Sequence, residues 1–159
     1  MAEYTKGGTP AWAAATRAKP SARIWVDLPR DAGRSDLRVF VTFATWCQAC
    51  RGDLPQLARL KQAFPDHRLG IFGVPIDPND ERAKLEEWVA TNHPPYTMLL
   101  GLPPEQPAAV KRLLSERLRR DALPSTIIAN RDGTVVKVME GVPTVSDLRV
   151  LADGTARSR

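Results

Sequence analysis

The chain has 159 residues, 43% of them hydrophobic and 26% charged, with a formal charge of +5. That is one domain's worth of ordinary globular composition, large enough to bury a core without disulfide staples, and no apolar run is long enough to span a membrane. The basic residues are scattered among acids and no recognition module accompanies them, so a solvated basic surface is expected and nucleic-acid binding is not.

The start, Met1-Ala2-Glu3-Tyr4, has neither the basic head nor the apolar core of a secretory signal, so the reading is a cytosolic protein or a mature piece. Residues 1–22, rich in Ala, Gly, Thr and Pro, read as an arm or linker. The domain proper is expected over 23–152, with 153–159 as a loose tail. Residues 24–28 suggest a short first strand and residues 29–36 a turn-rich connection. Residues 38–43, β-branched and aromatic, read as a buried strand. A helix is expected over 47–64, ended by Pro65-Asp66. The apolar run 69–76 suits a central strand of a parallel sheet. Asn79 or Asp80 is a candidate cap for a helix reaching Thr91, with Leu85, Trp88 and Val89 facing inward. Residues 96–100 read as a short strand. Residues 107–119 read as a helix burying Val110, Leu113, Leu114 and Leu118. The turn Asn130-Arg131-Asp132-Gly133 joins strands 125–130 and 134–140 into a hairpin. A closing helix over 145–151 is capped by Thr144. This order describes an α/β fold, a mixed sheet with helices on both faces.

The chemistry concentrates in Trp46-Cys47-Gln48-Ala49-Cys50, which holds the only two cysteines. They sit between a strand and a helix, and three positions bring their sulfurs within one helical turn. A cysteine pair at the mouth of a βα unit reads as a redox dithiol. Free N–H groups at a helix start favour thiolate, the attacking species. A structural zinc site would need four ligands, and only His67 and His93 are available to complete one. Asp53, three residues past Cys50, shares its face on that helix.

Three stretches extend this reading: Val39-Phe-Val-Thr-Phe-Ala-Thr-Trp-Cys into Cys50-Arg-Gly-Asp-Leu-Pro-Gln-Leu, then Gly73-Val-Pro-Ile-Asp, then Leu123-Pro-Ser-Thr-Ile-Ile-Ala-Asn-Arg-Asp-Gly. With them the chain resembles the thioredoxin superfamily, and within it the TlpA/ResA-like bacterial thiol–disulfide oxidoreductases. The resemblance covers most of residues 38–152. It implies a thioredoxin-like sheet with an extra central βα-type segment over 76–120. By the same resemblance Cys47 is an exposed attacking thiol and Cys50 a buried resolving thiol. Pro124 is a cis-proline beside them, and Leu123 offers its backbone to a bound peptide. Trp46 covers one side of the disulfide and limits access to it, a role compatible with plain core. Asp53 stands where this branch often has Glu, as a carboxylate that takes the Cys50 proton, and Pro55 kinks the helix. Ala49 departs from the usual Pro, and Val41 replaces the acid that thioredoxins proper bury.

The implied activity is reduction of disulfides in partner proteins through the Cys47/Cys50 pair, with no cofactor beyond that redox-active disulfide. The implied setting is periplasmic or otherwise extracytoplasmic, as in cytochrome c maturation, with a membrane thiol donor and a membrane tether outside these residues. Two rivals stand beside it. One is a thiol peroxidase, against which Ala44 replaces the Thr of Pro-x-x-x-Thr-x-x-Cys. The other is a non-catalytic copper carrier or partner-binding module. His67, His93 and Asp77 read as structural or exposed, and the basic residues over 112–120 as a solvated helix face with some capacity to steer an acidic partner.

Overall fold

The computed structural model describes residues 22–32 and 34–157. The expected arm therefore lies almost wholly outside the described residues, as do the last two positions.

Strand β1 (Leu37–Phe43) is apolar and buried along nearly its whole length, as a central strand covered on both faces must be. It pairs in parallel with β2 (Leu69–Pro75), from Leu37↔Leu69 to Phe43↔Pro75. On its other side it pairs antiparallel with β4 (Ser125–Asn130). A two-residue β3 (Thr97–Met98) extends β2 in parallel, and β5 (Val135–Glu140) closes the hairpin with β4. The order is β3-β2-β1-β4-β5. The helices are α1 (Gln48–Gly52), α2 (Leu54–Ala63), α3 (Arg82–Asn92), α4 (Glu105–Arg117) and α5 (Val145–Arg157).

The period-two alternation of strands sorts the core into two layers. Val39, Val41, Ile71 and Ile128 face one way, packing with Leu57 and Leu60 of α2 and Leu148 of α5. Phe40, Phe72, Val74 and Ile127 face the other, packing with Val110, Leu113 and Leu114 of α4. Helices therefore cover both faces of a mixed sheet, as expected. The extra segment between β2 and β4 supplies α3, β3 and α4.

Several expected elements differ. The helix expected over 47–64 is broken at Asp53, which ends α1 and starts α2. Pro55 follows in the first turn of α2; it has no N–H to continue the ladder, so the helix restarts there. Residues 24–28 form no strand: Arg23 makes one isolated bridge to Thr134, and Val26 and Leu28 then turn onto the α4-side core. Neither Asn79 nor Asp80 caps α3; Glu81 holds that position without a side-chain bond. The Asn79 N–H is instead used in a turn, donating to Asp77 Oδ1 at 2.9 Å. The expected strand 96–100 shrinks to two residues after Pro94 and Pro95, which bring no N–H to a ladder. Thr144 does cap α5, its Oγ1 accepting from the Asp147 N–H at 3.2 Å while Asp147 accepts from the Thr144 N–H at 2.9 Å. That helix runs on to Arg157, so residues 153–157 are not the loose tail expected.

Candidate active site

Cys47 and Cys50 form a disulfide where β1 hands over to α1. Cys47 is the N-cap of α1, and its Sγ accepts from the Cys50 N–H at 3.1 Å. Because α1 has only five residues, this local N–H, rather than the dipole of a long helix, is the positive group aimed at the Cys47 sulfur. Cys50 Sγ lies 4.0 Å from the Thr42 carbonyl oxygen. That oxygen presents negative potential to the Cys50 sulfur. The two sulfurs thus sit in opposite local fields.

The expectation of an exposed Cys47 over a buried Cys50 is corrected at the level of whole residues: they are 5% and 4% exposed. The extra segment contributes to the cluster that holds them. Leu85 and Trp88 of α3 pack with Phe43, Ala44 and both cysteines in one buried cluster, and Leu123 packs against its edge. The Phe43 and Trp88 ring centroids are 4.4 Å apart.

The Leu123–Pro124 peptide is cis, as the resemblance implied. Its position is pinned from both sides. Thr42, buried near the end of β1, donates its hydroxyl to Ser125 O and accepts from Ser125 N–H, each at 3.0 Å. Ser125 Oγ donates to Ala122 O at 2.6 Å, and Pro124 O accepts from Gly141 N–H at 2.8 Å. The same strand therefore carries the cysteines and fixes the proline loop.

Trp46 is 62% exposed, so the plain-core reading of it does not hold. Its indole Nε1–H donates to Asp77 Oδ2 at 2.7 Å. The Asn79 N–H and, after it, the Trp46 indole hold the Asp77 carboxyl below the usual carboxylate range. Asp80, its side chain wholly enclosed, accepts from the Thr45 N–H at 2.8 Å and from the Thr45 hydroxyl, with Lys84 Nζ 3.4 Å away. Two acids at the end of β2 thus hold residues 45 and 46, the approach to Cys47. Sequence reading missed both roles, together with that of Thr42. A polar residue in an otherwise apolar buried strand was the signal for Thr42; the partners of Asp77 and Asp80 lie more than thirty positions away and leave no local mark.

Asp53 is half-buried at the α1–α2 break and makes no side-chain cap bond. The face it was expected to share with Cys50 presumed an unbroken helix. His93 ends α3 in the left-handed region, at φ 45°. His67 is exposed, its carbonyl accepting from the Asp36 N–H. Among the described residues no three His, Cys, Asp or Glu side chains gather as a metal site.

A mixed five-stranded sheet with a Cys-x-x-Cys disulfide at the end of its central strand and a cis-proline alongside defines a thioredoxin-like thiol–disulfide oxidoreductase. The chain belongs to the AhpC/TSA family, whose model matches residues 25–138. Among solved structures it is similar to a thio-disulfide isomerase from Thermus thermophilus, at 23% identity over 85% of this chain and 97% of that one, with a TM-score of 0.61. A thiol-disulfide isomerase from Corynebacterium glutamicum matches at 18% identity over 86% and 95%, TM-score 0.61. A thioredoxin-family thiol:disulfide interchange protein from Chlorobium tepidum matches at 17% over 87% and 97%, TM-score 0.61. At these identities the likeness is one of fold. No curated protein matches the chain.

Proposed function

We propose that the protein is a TlpA/ResA-like reductant of disulfides in partner proteins, working outside the cytoplasm. The observation that carries this reading is the Cys47–Cys50 pair at the start of α1, with the cis Leu123–Pro124 loop tied to the same strand.

In the reduced protein, Cys47 is the thiolate, because a backbone N–H faces its sulfur while a carbonyl oxygen lies by Cys50. Cys47 Sγ attacks one sulfur of the partner's disulfide; the other leaves as thiolate and takes a proton. Cys50 then loses its proton and attacks Cys47 Sγ. The Cys47–partner bond breaks and its electron pair leaves on the partner sulfur, which takes a proton; the partner departs with both thiols reduced, and Cys47–Cys50, having given up two electrons, is left as a disulfide. Asp53, at the end of the helix that holds Cys50, is the carboxylate we assign to receive the Cys50 proton, directly or through water. The exposed Trp46 and the Leu123 backbone flank the partner segment.

A dedicated reductant needs an electron source, which in this reading is a membrane thiol donor. Among the described residues no helix is long and apolar enough to cross a membrane, so a tether would lie elsewhere. Partners of this chemistry include cysteines that must be reduced before haem or copper is attached.

Family membership is the observation that favours a second reading, thiol peroxidase. That chemistry needs Pro and Thr seven and three residues before the reactive cysteine, where this chain has Phe40 and Ala44, both buried. The discriminating experiment compares the reduced protein's rate with insulin disulfides against its rate with hydrogen peroxide, and then fixes its potential against glutathione. Faster disulfide turnover and a potential well below the glutathione poise support the reductant. Faster peroxide turnover, or a potential far above that poise, refutes it.

A further inference from the structure

Two cavities meet at Ile76 and Lys111, one of them reaching Trp46 and the Leu123 side of the cis-proline loop. One, about 210 Å³, is bounded by Trp46, Leu114, Leu123 and Ser125. The other, about 510 Å³, runs between α3 and α4 past Leu85, Leu99, Leu102 and Pro104. Ile76 and Lys111 border both, so they form one groove leading from the cis-proline loop out over the extra segment. Its floor is apolar and its rim is charged.

The other charges along that rim are paired or hydrogen-bonded, except Asp121, which has no ion pair among the described residues. Arg82 pairs with Glu86 at 3.0 Å and Arg120 with Glu140 at 3.2 Å. Asp77 accepts from Trp46 and Asn79, and Asp80 from Thr45, with Lys84 close by. Asp121 takes a long contact from Ser115 at 3.5 Å. The Lys111 ammonium, at the junction of the two cavities, has no hydrogen bond or ion pair among the described residues. Opposite charge brought there by an occupant would be complementary.

Resting on the function proposed above, we infer that this groove seats the segment of the partner protein next to its disulfide, and that Lys111 selects a segment carrying a carboxylate beside apolar residues. Apolar side chains lie on Ile76, Leu114 and Leu123, and the carboxylate meets Lys111. The extra segment is therefore a specificity element as well as part of the cluster that holds the cysteines.

The test uses two disulfide-bearing peptides with the same apolar flank, one with Glu and one with Lys in the flanking positions, and a small neutral disulfide as a measure of the chemistry alone. The native protein is expected to favour the Glu peptide in kcat/KM by about two- to fivefold, what one exposed ion pair supports. The preference should fall towards one in high salt, as exposed charges are screened. Lys111→Glu is expected to invert it. Lys61→Glu, on α2 outside the groove, makes the same change in net charge and is expected to keep it. Equal rates for the two peptides in the native protein, or the same loss of preference in both variants, overturns the inference while turnover of the neutral disulfide leaves the redox function standing. Failure to turn over the neutral disulfide as well removes the function and the inference together.

Discussion

At the residue scale, the site depends on a few polar side chains whose partners are far away in sequence. Asp77 is the clearest. Its carboxylate is held below the ordinary range by the Asn79 N–H and the Trp46 indole. A carboxyl depressed on folding adds stability that is present above its unfolded value, about pH 4, and lost as the pH falls through the lower folded value. The Trp46 indole N–H resonance should therefore stay fixed from neutrality down through about pH 4 and move only in stronger acid. Asp77→Asn should abolish that movement. A shift already complete near pH 5 would refute the assignment. Asp53 is tested differently: Asp53→Asn should slow resolution of the mixed disulfide severalfold at neutral pH, measured by stopped flow. A rate unchanged from pH 6 to pH 9 would remove Asp53 from the reaction. The cysteine spacing, Pro124 and the turn at Gly133 were legible because each is a local signal. The enclosure of Cys47 was not, because the cluster that holds it draws in Trp88 and Leu85 only through the tertiary fold.

At the element scale, the long strands were read closely and the short ones were not. β1, β2 and β4 are apolar runs or alternations with a physical period, and they appear within a residue of their expected places. The first segment failed as a strand because one bridge to Thr134 does not make a ladder. The helix break at Asp53 was foreshadowed by Pro55, yet a proline there marks a kink within one helix as readily as the first turn of a new one, so the interruption was not read. The joint between β2 and β3 makes a prediction of its own. A Cβ on Gly73 would overlap the Tyr96 ring, and burial already raises the Tyr96 hydroxyl's pKa well above its ordinary value. Gly73→Ala should therefore destabilise the fold by about 1–3 kcal/mol in urea titration, the usual range for overpacking a core. A loss within experimental error would show that Tyr96 moves aside freely.

At the scale of the whole molecule, one sheet organises everything. Its central strand ends in the cysteines, its neighbour β2 ends in the two acids that hold the approach to them, and β4 begins at the cis-proline. The inserted α3 packs into the buried cluster of the cysteines, and α3 and α4 together flank the groove past Lys111. Fold class and redox chemistry were legible because they rest on a short motif and on alternating elements. Substrate preference was not, since the groove exists only once α4 is packed against the sheet. The central claim is that Cys47 attacks and Cys50 resolves, and it is tested most directly by offering a disulfide-bearing protein to the reduced Cys47→Ser and Cys50→Ser variants and analysing the products by mass. The account predicts a stable covalent adduct through Cys47 in Cys50→Ser and neither adduct nor turnover in Cys47→Ser. Native turnover in both variants, or an adduct formed through Cys50 alone, would contradict it.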